Sequence, residues 1–163
     1  MLRPLNELQI AMLFSKYEKY HKIFRSCNVG SKVIPWEWCG ACPKCLFVYI
    51  ILSPFLYKEK LVQIFNKDLF ENKDLLKTFI ELCGYGKTKP FECVGTYEEV
   101  NYAICKTINN LEKTNQELPY LLNYYKQNYK LVEINNDITK RYNKENNLTE
   151  EFNQVLRRAI FND

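Results

Sequence analysis

Four of the seven cysteines in this chain lie between residues 27 and 45, at a spacing typical of a metal site. They are Cys27, Cys39, Cys42 and Cys45, and the last three form two overlapping Cys-x-x-Cys turns. Thiolates are soft anionic ligands, and four of them close a tetrahedral shell around Zn²⁺ at Zn–S distances of about 2.3 Å. A closed shell leaves no coordination position for a substrate. The spacing therefore predicts a structural zinc site.

Other uses of the same cysteines stay open at this point. A redox pair needs only two thiols, so the two additional cysteines at metal spacing argue against it. An iron–sulfur cluster also takes closely spaced cysteines as ligands. The remaining alternative is a group of free cysteines without a metal.

The segment that follows the cysteines predicts a buried helix that anchors them. Pro43 suits the first turn of a helix, and the apolar run "LFVYIILSPFL" extends from Leu46 to Leu56, interrupted by Ser53 and by Pro54, which stops the helix. A helix from Pro43 to Ser53 places Cys45 in its first turn. The run is too short to span a bilayer, which takes about 20 residues.

Apolar residues at helical spacing dominate the rest of the chain and predict a mostly α fold. Two capping patterns support this: Asn72 before a helix that Gly84 ends, and a Thr96–Glu99 capping box before another. We expect one domain over 1–163, with a zinc-knot region at 25–57 and a helical remainder at 58–163. The predicted helices are 5–17 with Pro4 in the first turn, 43–53, 58–65, 72–84, the helix after Thr96, 118–134 and 148–161, with a polar loop at 135–147.

The segment "KPFECVG" is the strongest candidate for chemistry outside the cysteine cluster. Pro90 and Gly95 bracket a short strand or an ordered loop that offers a carboxylate and a thiol, Glu92 and Cys93, as proton-transfer groups. The alternative, which the residue types favour, makes Cys93 a small buried residue and Glu99 a helix cap.

Three further residues are predicted to be structural. Cys83 and Cys105 occupy apolar helical positions, so we expect them in the core. His21, the only histidine, is expected to be packed or at the surface rather than a metal ligand.

Positive charge is concentrated around the cysteine cluster. The net charge is +4; residues 1–50 hold seven Lys or Arg and three Glu, whereas the remaining residues hold 16 of each sign. Arg25, Lys32 and Lys44 flank the cysteines and are candidates for contacting phosphates or a substrate carboxylate. An ordinary solvated surface is the alternative for each of them.

The sequence also predicts a compartment. The first 20 residues have no continuous apolar core of the kind found in secretory signals, and the number of cysteines is odd. Both observations favour a reducing compartment, which we expect to be the cytoplasm.

The motifs together resemble a known family. "SCN" and "WCGACPKC" are similar to the zinc motif of adenine-nucleotide-hydrolase-like enzymes such as 7-cyano-7-deazaguanine synthase. A longer set, "RPLNELQIAMLF", "FRSCN", "WCGACPKCLFVYIILSPFL" and "KPFECVGTYEEV", resembles the C-terminal domain of the UDP-N-acetylmuramoyl-L-alanyl-L-glutamate epimerase family. This resemblance runs from about residue 2 to about residue 105 and implies the C-terminal part of an α/β ATP-pyrophosphatase-like enzyme.

The resemblance implies an ATP- and magnesium-dependent inversion of the terminal L-Glu of UDP-MurNAc-L-Ala-L-Glu to D-Glu. Such an enzyme needs a glycine-rich phosphate loop, but no two of the five glycines here are adjacent. The chain is therefore expected to be a C-terminal portion, a split subunit or a degenerate relative of such an enzyme, with an ATP-binding polypeptide as partner and no independent ATP binding. The alternative function is a zinc-stabilised nucleic-acid- or protein-binding module, in which Trp36 and Trp38 would stack on bases.

Overall fold

Helices make up the regular secondary structure of the described part of the chain. The structure, a computed structural model, describes residue 2 and residues 4–32, 37–131 and 137–161, and within them it contains seven α-helices and no β-strand. The predicted mostly α fold is therefore confirmed. The helices are α1 (Glu7–Ser15), α2 (Pro43–Leu52), α3 (Lys58–Phe65), α4 (Leu76–Leu82), α5 (Tyr97–Lys113), α6 (Tyr120–Asn128) and α7 (Glu150–Phe161).

Helix α2 is the centre of the fold. All of its residues from Cys45 to Leu52 are buried, and it contacts α1, α3, α4 and α5. A helix that is apolar on every side must be covered on every side, which explains its central position. Pro43 occupies the start of the helix as predicted, and the Ser53 hydroxyl ends it with hydrogen bonds to the Ile50 carbonyl (2.8 Å) and to Thr107 (2.6 Å).

The predicted capping box starts α5 and also joins α5 to α1. The Thr96 hydroxyl accepts from the Glu99 N–H (3.2 Å), and the Glu99 carboxylate accepts from the Thr96 N–H (2.6 Å). The other oxygen of the same buried carboxylate accepts from the N–H of Glu7, the first residue of α1, at 2.6 Å. One side chain thus satisfies backbone donors at the N-termini of two helices. The prediction that Glu99 is a cap is confirmed.

Replacing Glu99 by Ala should lower the free energy of unfolding by about 2 kcal/mol, because a cap is lost and buried N–H groups are left without acceptors. Urea denaturation followed by circular dichroism measures the change. Glu98→Ala is the matched control. Glu98 is exposed and pairs with Arg141 at the surface, so its loss should cost less than about 1 kcal/mol. Equal losses in the two variants would contradict the joining role of Glu99.

The N-terminal and C-terminal segments pack on one another. Helix α1 begins at Glu7, not at residue 5 with Pro4 in its first turn, because the Asn6 side chain caps it and forms a capping box with Gln9. Leu5 instead packs with Leu156 and Ile160 of α7 in a small second core. The fully buried Gln9 amide donates to the carbonyls of Thr139 and Arg141, at 2.9 and 2.6 Å.

Two other predicted boundaries needed correction. Helix α6 ends at Asn128, before the predicted 134, because Tyr129 is extended and its ring stacks on Tyr85 at 3.9 Å; residues 132–136 lie outside the described part. The predicted loop 135–147 contains a short 3₁₀ turn, Ile138–Lys140, whose first two residues are buried.

The region between α3 and α5 follows the sequence prediction with one refinement. Asn72 caps a 3₁₀ turn, Lys73–Leu75, by accepting from the Asp74 N–H (3.0 Å), and α4 starts directly after it. Gly84 follows α4 with a positive φ of 86°, in agreement with its predicted role as a stop. Among the described helices, none has the length and apolar character needed to cross a membrane.

Candidate metal centre

The four predicted ligands meet at one point. The Sγ atoms of the cysteine cluster (Cys27, Cys39, Cys42 and Cys45) all lie within 4.8 Å of one another. The distance is 3.8 Å from Cys27 to Cys42, 3.6 Å from Cys39 to Cys45 and 3.5 Å from Cys42 to Cys45. Sulfurs at the corners of a tetrahedron with Zn–S bonds of about 2.3 Å would be about 3.8 Å apart. The cluster is therefore close enough to hold a single metal ion.

Local backbone features bring these sulfurs together. Cys42 is the N-cap of α2 and Cys45 lies in its first turn, as predicted, so two thiolates sit where the helix dipole favours negative charge. Gly40 turns the chain with a φ of 63°, which a glycine adopts readily. Gly30 donates its N–H to the Cys27 sulfur (3.1 Å), and a Cβ there would lie 1.6 Å from the Glu37 carbonyl oxygen.

Aromatic packing fixes the cysteine cluster on the core. Trp38 is buried, its ring lies 5.4 Å from that of Phe24 and 4.5 Å from that of Phe65, and its indole N–H donates to the Phe24 carbonyl (3.1 Å). A tryptophan packed in this way has no free face for a nucleobase, so the predicted stacking role of Trp38 is wrong. Trp36, the other candidate, lies outside the described residues.

The electrostatics of the cluster favour a cation at its centre. The hydrogen bond between the Cys42 and Cys45 sulfurs lowers the pKa of Cys42 to about 5 and raises that of Cys45, with burial adding to the rise. Burial likewise raises the pKa of Cys39. Without a cation, neighbouring thiolates oppose one another's ionisation, whereas a bound divalent ion stabilises all four. Zn²⁺ with four thiolates carries a formal charge of −2, which nearby lysines would partly offset.

The candidate segment 90–95 lies against this centre as a loop rather than a strand. Two tight turns form it, with the Glu92 N–H bonded to the Pro90 carbonyl and the Val94 N–H to the Glu92 carbonyl, each at 2.8 Å. The Asn28 amide donates to the Glu92 carboxylate at 3.2 Å. The structure therefore brings Glu92 and Cys93 next to the cysteine cluster, a proximity that sequence spacing gave no means of seeing.

The burial of Cys93 differs from the favoured prediction. Its side chain is exposed, so the expectation that it is a small buried residue is wrong. The reason is that its backbone is the anchored part: the Lys44 ammonium donates to the Cys93 carbonyl. The thiol is left facing solvent, and the neighbouring Phe91 is fully exposed as well.

The three basic candidates have different environments in the structure. Lys44 is engaged with the loop and also lies 5.9 Å from the centre of the Phe47 ring. Arg25 donates to the carbonyl of its neighbour Phe24 at 2.6 Å. Lys32 is exposed at the end of a short 3₁₀ turn, Gly30–Lys32.

The remaining candidates are structural, as predicted. Cys83 and Cys105 are buried in the main core, and burial raises the pKa of the Cys83 thiol. His21 is buried, with its ring 4.9 Å from that of Phe14 and its Nε2 3.2 Å from the Phe14 carbonyl oxygen. It is a packed histidine and is not among the four metal-binding candidates.

A cavity of about 610 Å³ lies at the other end of α2 from the cysteine cluster. Its wall includes Tyr49 and Asp68, which are hydrogen-bonded to each other at 2.9 Å, while Lys58 pairs with the second oxygen of Asp68 at 2.9 Å. These polar groups satisfy one another. The cavity is therefore separate from the residues that could carry chemistry.

The described residues form a helical fold in which four cysteines that could hold a metal ion lie at the N-terminus of the central helix. Residues 23–135 match the family described as the MurL C-terminal domain. The match covers more than half of the chain, so the chain belongs to this family. It takes in both the cysteine cluster and the 90–95 loop.

Curated relatives carry the name UDP-N-acetyl-alpha-D-muramoyl-L-alanyl-L-glutamate epimerase. The chain is 42% identical to one from a Micromonospora species over 101 residues, 61% of this chain and 23% of the relative. It is 38% identical to one from Xanthomonas oryzae pv. oryzae over 117 residues, 69% of this chain and 26% of the relative. The matches thus span about a quarter of the relatives' length. No solved structure matches the chain.

Proposed function

We propose that this chain is the C-terminal part of an epimerase that converts the terminal L-Glu of UDP-MurNAc-L-Ala-L-Glu to D-Glu, a step in making peptidoglycan precursors. The observation that carries the proposal is the family match over 23–135 together with the names of the relatives. A nucleotide-linked peptide of this kind is a soluble anionic substrate, which fits the predicted cytoplasmic location. We also keep the single domain over 1–163 as a prediction.

Zn²⁺ is the proposed metal, held by the four thiolates of the cysteine cluster. Three of their Sγ–Sγ distances are 3.5–3.8 Å and all lie within 4.8 Å, which suits ligands of one ion, whereas a cluster of several irons places its thiolates on different irons and farther apart. Four thiolates fill the tetrahedral shell, so the ion would stabilise the fold and take no part in the reaction.

The proposed reaction moves one proton. The α-C–H beside a free carboxylate is very weakly acidic, since its loss would create a dianion. The carboxylate would displace pyrophosphate from ATP to form an acyl-adenylate, which removes its charge, so that when the α-C–H bond breaks the electron pair can move onto the carbonyl oxygen. A base takes the proton from one face, and an acid returns a proton to the opposite face of the same carbon. Water would then cleave the acyl–phosphate bond, releasing AMP and restoring the carboxylate. Glu92 and Cys93 are the proposed proton-transfer groups.

Substrate binding is proposed for the basic side of the cluster. Lys32 is exposed there, and the surplus of positive charge in residues 1–50 would attract the diphosphate and carboxylates of the substrate. Arg25 and Lys44 stay candidates, although Lys44 already donates to the Cys93 carbonyl. ATP and Mg²⁺ would bind to the part of the enzyme that corresponds to the other three quarters of the relatives' length.

The isolated chain should show no measurable heat of ATP binding in isothermal titration with Mg²⁺, because its five scattered glycines cannot form a phosphate loop. A micromolar Kd would contradict this.

A chimera tests the function directly. Residues 23–135 of this chain would replace the matched region of the Xanthomonas oryzae relative, and ATP-dependent formation of D-Glu in the substrate peptide would be measured by chiral chromatography after hydrolysis. Conversion supports the proposal. A folded chimera that binds ATP and the substrate without inverting the glutamate would contradict it.

A further inference from the structure

We propose that the cysteine cluster has a second task besides stabilising the fold: through Asn28 and Lys44, the neighbours of two of its cysteines, it holds the 90–95 loop and so positions Glu92 and Cys93. The meaning of that position for catalysis rests on the proposed function. The anchoring itself is a property of this chain and can be measured without a partner. Asn28 and Lys44 are therefore positioning residues.

The two anchors are immediate neighbours of metal ligands. Asn28 follows Cys27, and its amide reaches the Glu92 carboxylate (3.2 Å) from 64 residues earlier in the chain. Lys44 precedes Cys45, and its ammonium donates to the Cys93 carbonyl. A cysteine that is bound to a metal ion restricts the backbone position of the adjacent residue. The positions of Asn28 and Lys44 are therefore set by the metal site.

Val94 packs its half-buried side chain against the main core, so among the described contacts the part of the loop that relies most on the two anchors is Glu92 and Cys93. The loop's internal hydrogen bonds, from the Glu92 and Val94 N–H groups, each span only two residues and do not fix it to the core. At its far end Gly95 packs so closely on Phe47 that a Cβ there would lie 2.9 Å from the ring, and Lys89 donates to the Gly95 carbonyl at 2.5 Å. The base of the loop is therefore held by α2, whereas Glu92 and Cys93 depend on the two anchors.

Lys67 provides a matched control. It also donates to a backbone carbonyl of the cysteine region, that of Cys39 at 3.4 Å, and it is exposed. Its contact does not involve the 90–95 loop. Removing it takes a lysine away from the metal centre while both anchors stay in place.

The experiment measures backbone ¹⁵N relaxation of the zinc-loaded chain in the double variant N28A/K44M. The order parameters of the Glu92 and Cys93 amides should fall from about 0.85 to below about 0.6, with the zinc content unchanged. K67M should leave these order parameters unchanged. K44R, which keeps a hydrogen-bond donor at this position, should lower them less than K44M does. Unchanged order parameters in the double variant would overturn the anchoring.

The assembled epimerase separates this inference from the proposed function. There N28A/K44M should lower kcat at least tenfold and leave the KM for ATP unchanged, because positioning acts on the proton transfer and not on nucleotide binding. A mobile loop with an unchanged kcat would overturn the positioning role. If the unmodified assembly does not invert glutamate, the proposed function fails, while the relaxation measurements still decide the anchoring.

Discussion

Replacing Cys42 by Ser should remove the bound metal and most of the cooperative fold. The Cys42 sulfur lies 3.8 Å from that of Cys27 and 3.5 Å from that of Cys45, and the residue is also the N-cap of the central helix. Metal binding contributes on the order of 10 kcal/mol in small zinc domains. Because the net stability of a domain is only about 5–15 kcal/mol, losing a large part of this term leaves little to hold the fold.

Elemental analysis and thermal unfolding test this expectation together. The unmodified chain, purified without added metal, should carry one zinc per chain and unfold cooperatively, and Cys42→Ser should show neither property. Cys93→Ser is the matched control, since Cys93 is an exposed thiol outside the cluster, and it should keep both. A metal-free unmodified chain, or iron with a visible absorption band, would contradict the zinc assignment.

The cysteine cluster and its support could be predicted because the determinants are close together in sequence. Three of the four cysteines lie within seven residues, and the apolar stretch directly after them has no polar face, so the metal site and a buried helix follow from local spacing. The Thr96–Glu99 box was equally local. Its second role, closing the N-terminus of α1 through the Glu7 N–H, depends on a contact across 92 residues, and no local pattern indicates it.

Exposure was predicted less well, because it depends on tertiary packing. A free cysteine is buried more often than not, yet Cys93 is exposed because its carbonyl is the group that Lys44 holds. The prediction for Trp38 was wrong in the opposite sense, because exposure was expected and the residue is buried. An aromatic residue near basic ones suggested a stacking surface, but Phe24 and Phe65 cover the ring. Residue type predicts only the average burial of a side chain, whereas its tertiary contacts determine its burial in this fold.

The same reasoning explains why Asn28 was missed. Asn28 ends the "SCN" motif, but no residue type around it predicts a contact with Glu92, which lies 64 residues further along the chain. One signal is its position directly after Cys27, a predicted metal ligand, because neighbours of ligands are well placed to hold other groups. Lys44 has the same position relative to Cys45, which is why both anchors come from the cluster.

Glu92→Gln and Cys93→Ser should each abolish inversion in the assembled epimerase, with a fall in rate of about 10²–10⁴, the usual contribution of a positioned acid or base. Their side chains belong to adjacent residues of one loop, and in an extended or turning backbone adjacent side chains point in different directions. Two groups so placed can serve opposite faces of one carbon only if the substrate lies between them.

Solvent deuterium distinguishes the two roles. Starting from the L-Glu substrate in D₂O, loss of the group that removes the α-proton should abolish both deuterium uptake and inversion. Loss of the group on the opposite face should abolish inversion but leave deuterium uptake into unreacted L-Glu, since removal and return on the first face still operate. We therefore expect the two variants to differ in this assay, with zinc content and folding intact in both.

Glu98→Gln is the control for this experiment. Glu98 is an exposed carboxylate a few residues along the chain, but it lies in the first turn of α5 and pairs with Arg141 rather than facing the cysteine cluster. It should retain both inversion and deuterium uptake. If Glu92→Gln and Cys93→Ser also retain both, the 90–95 loop does not supply the proton-transfer groups, and the base and acid lie elsewhere in the enzyme.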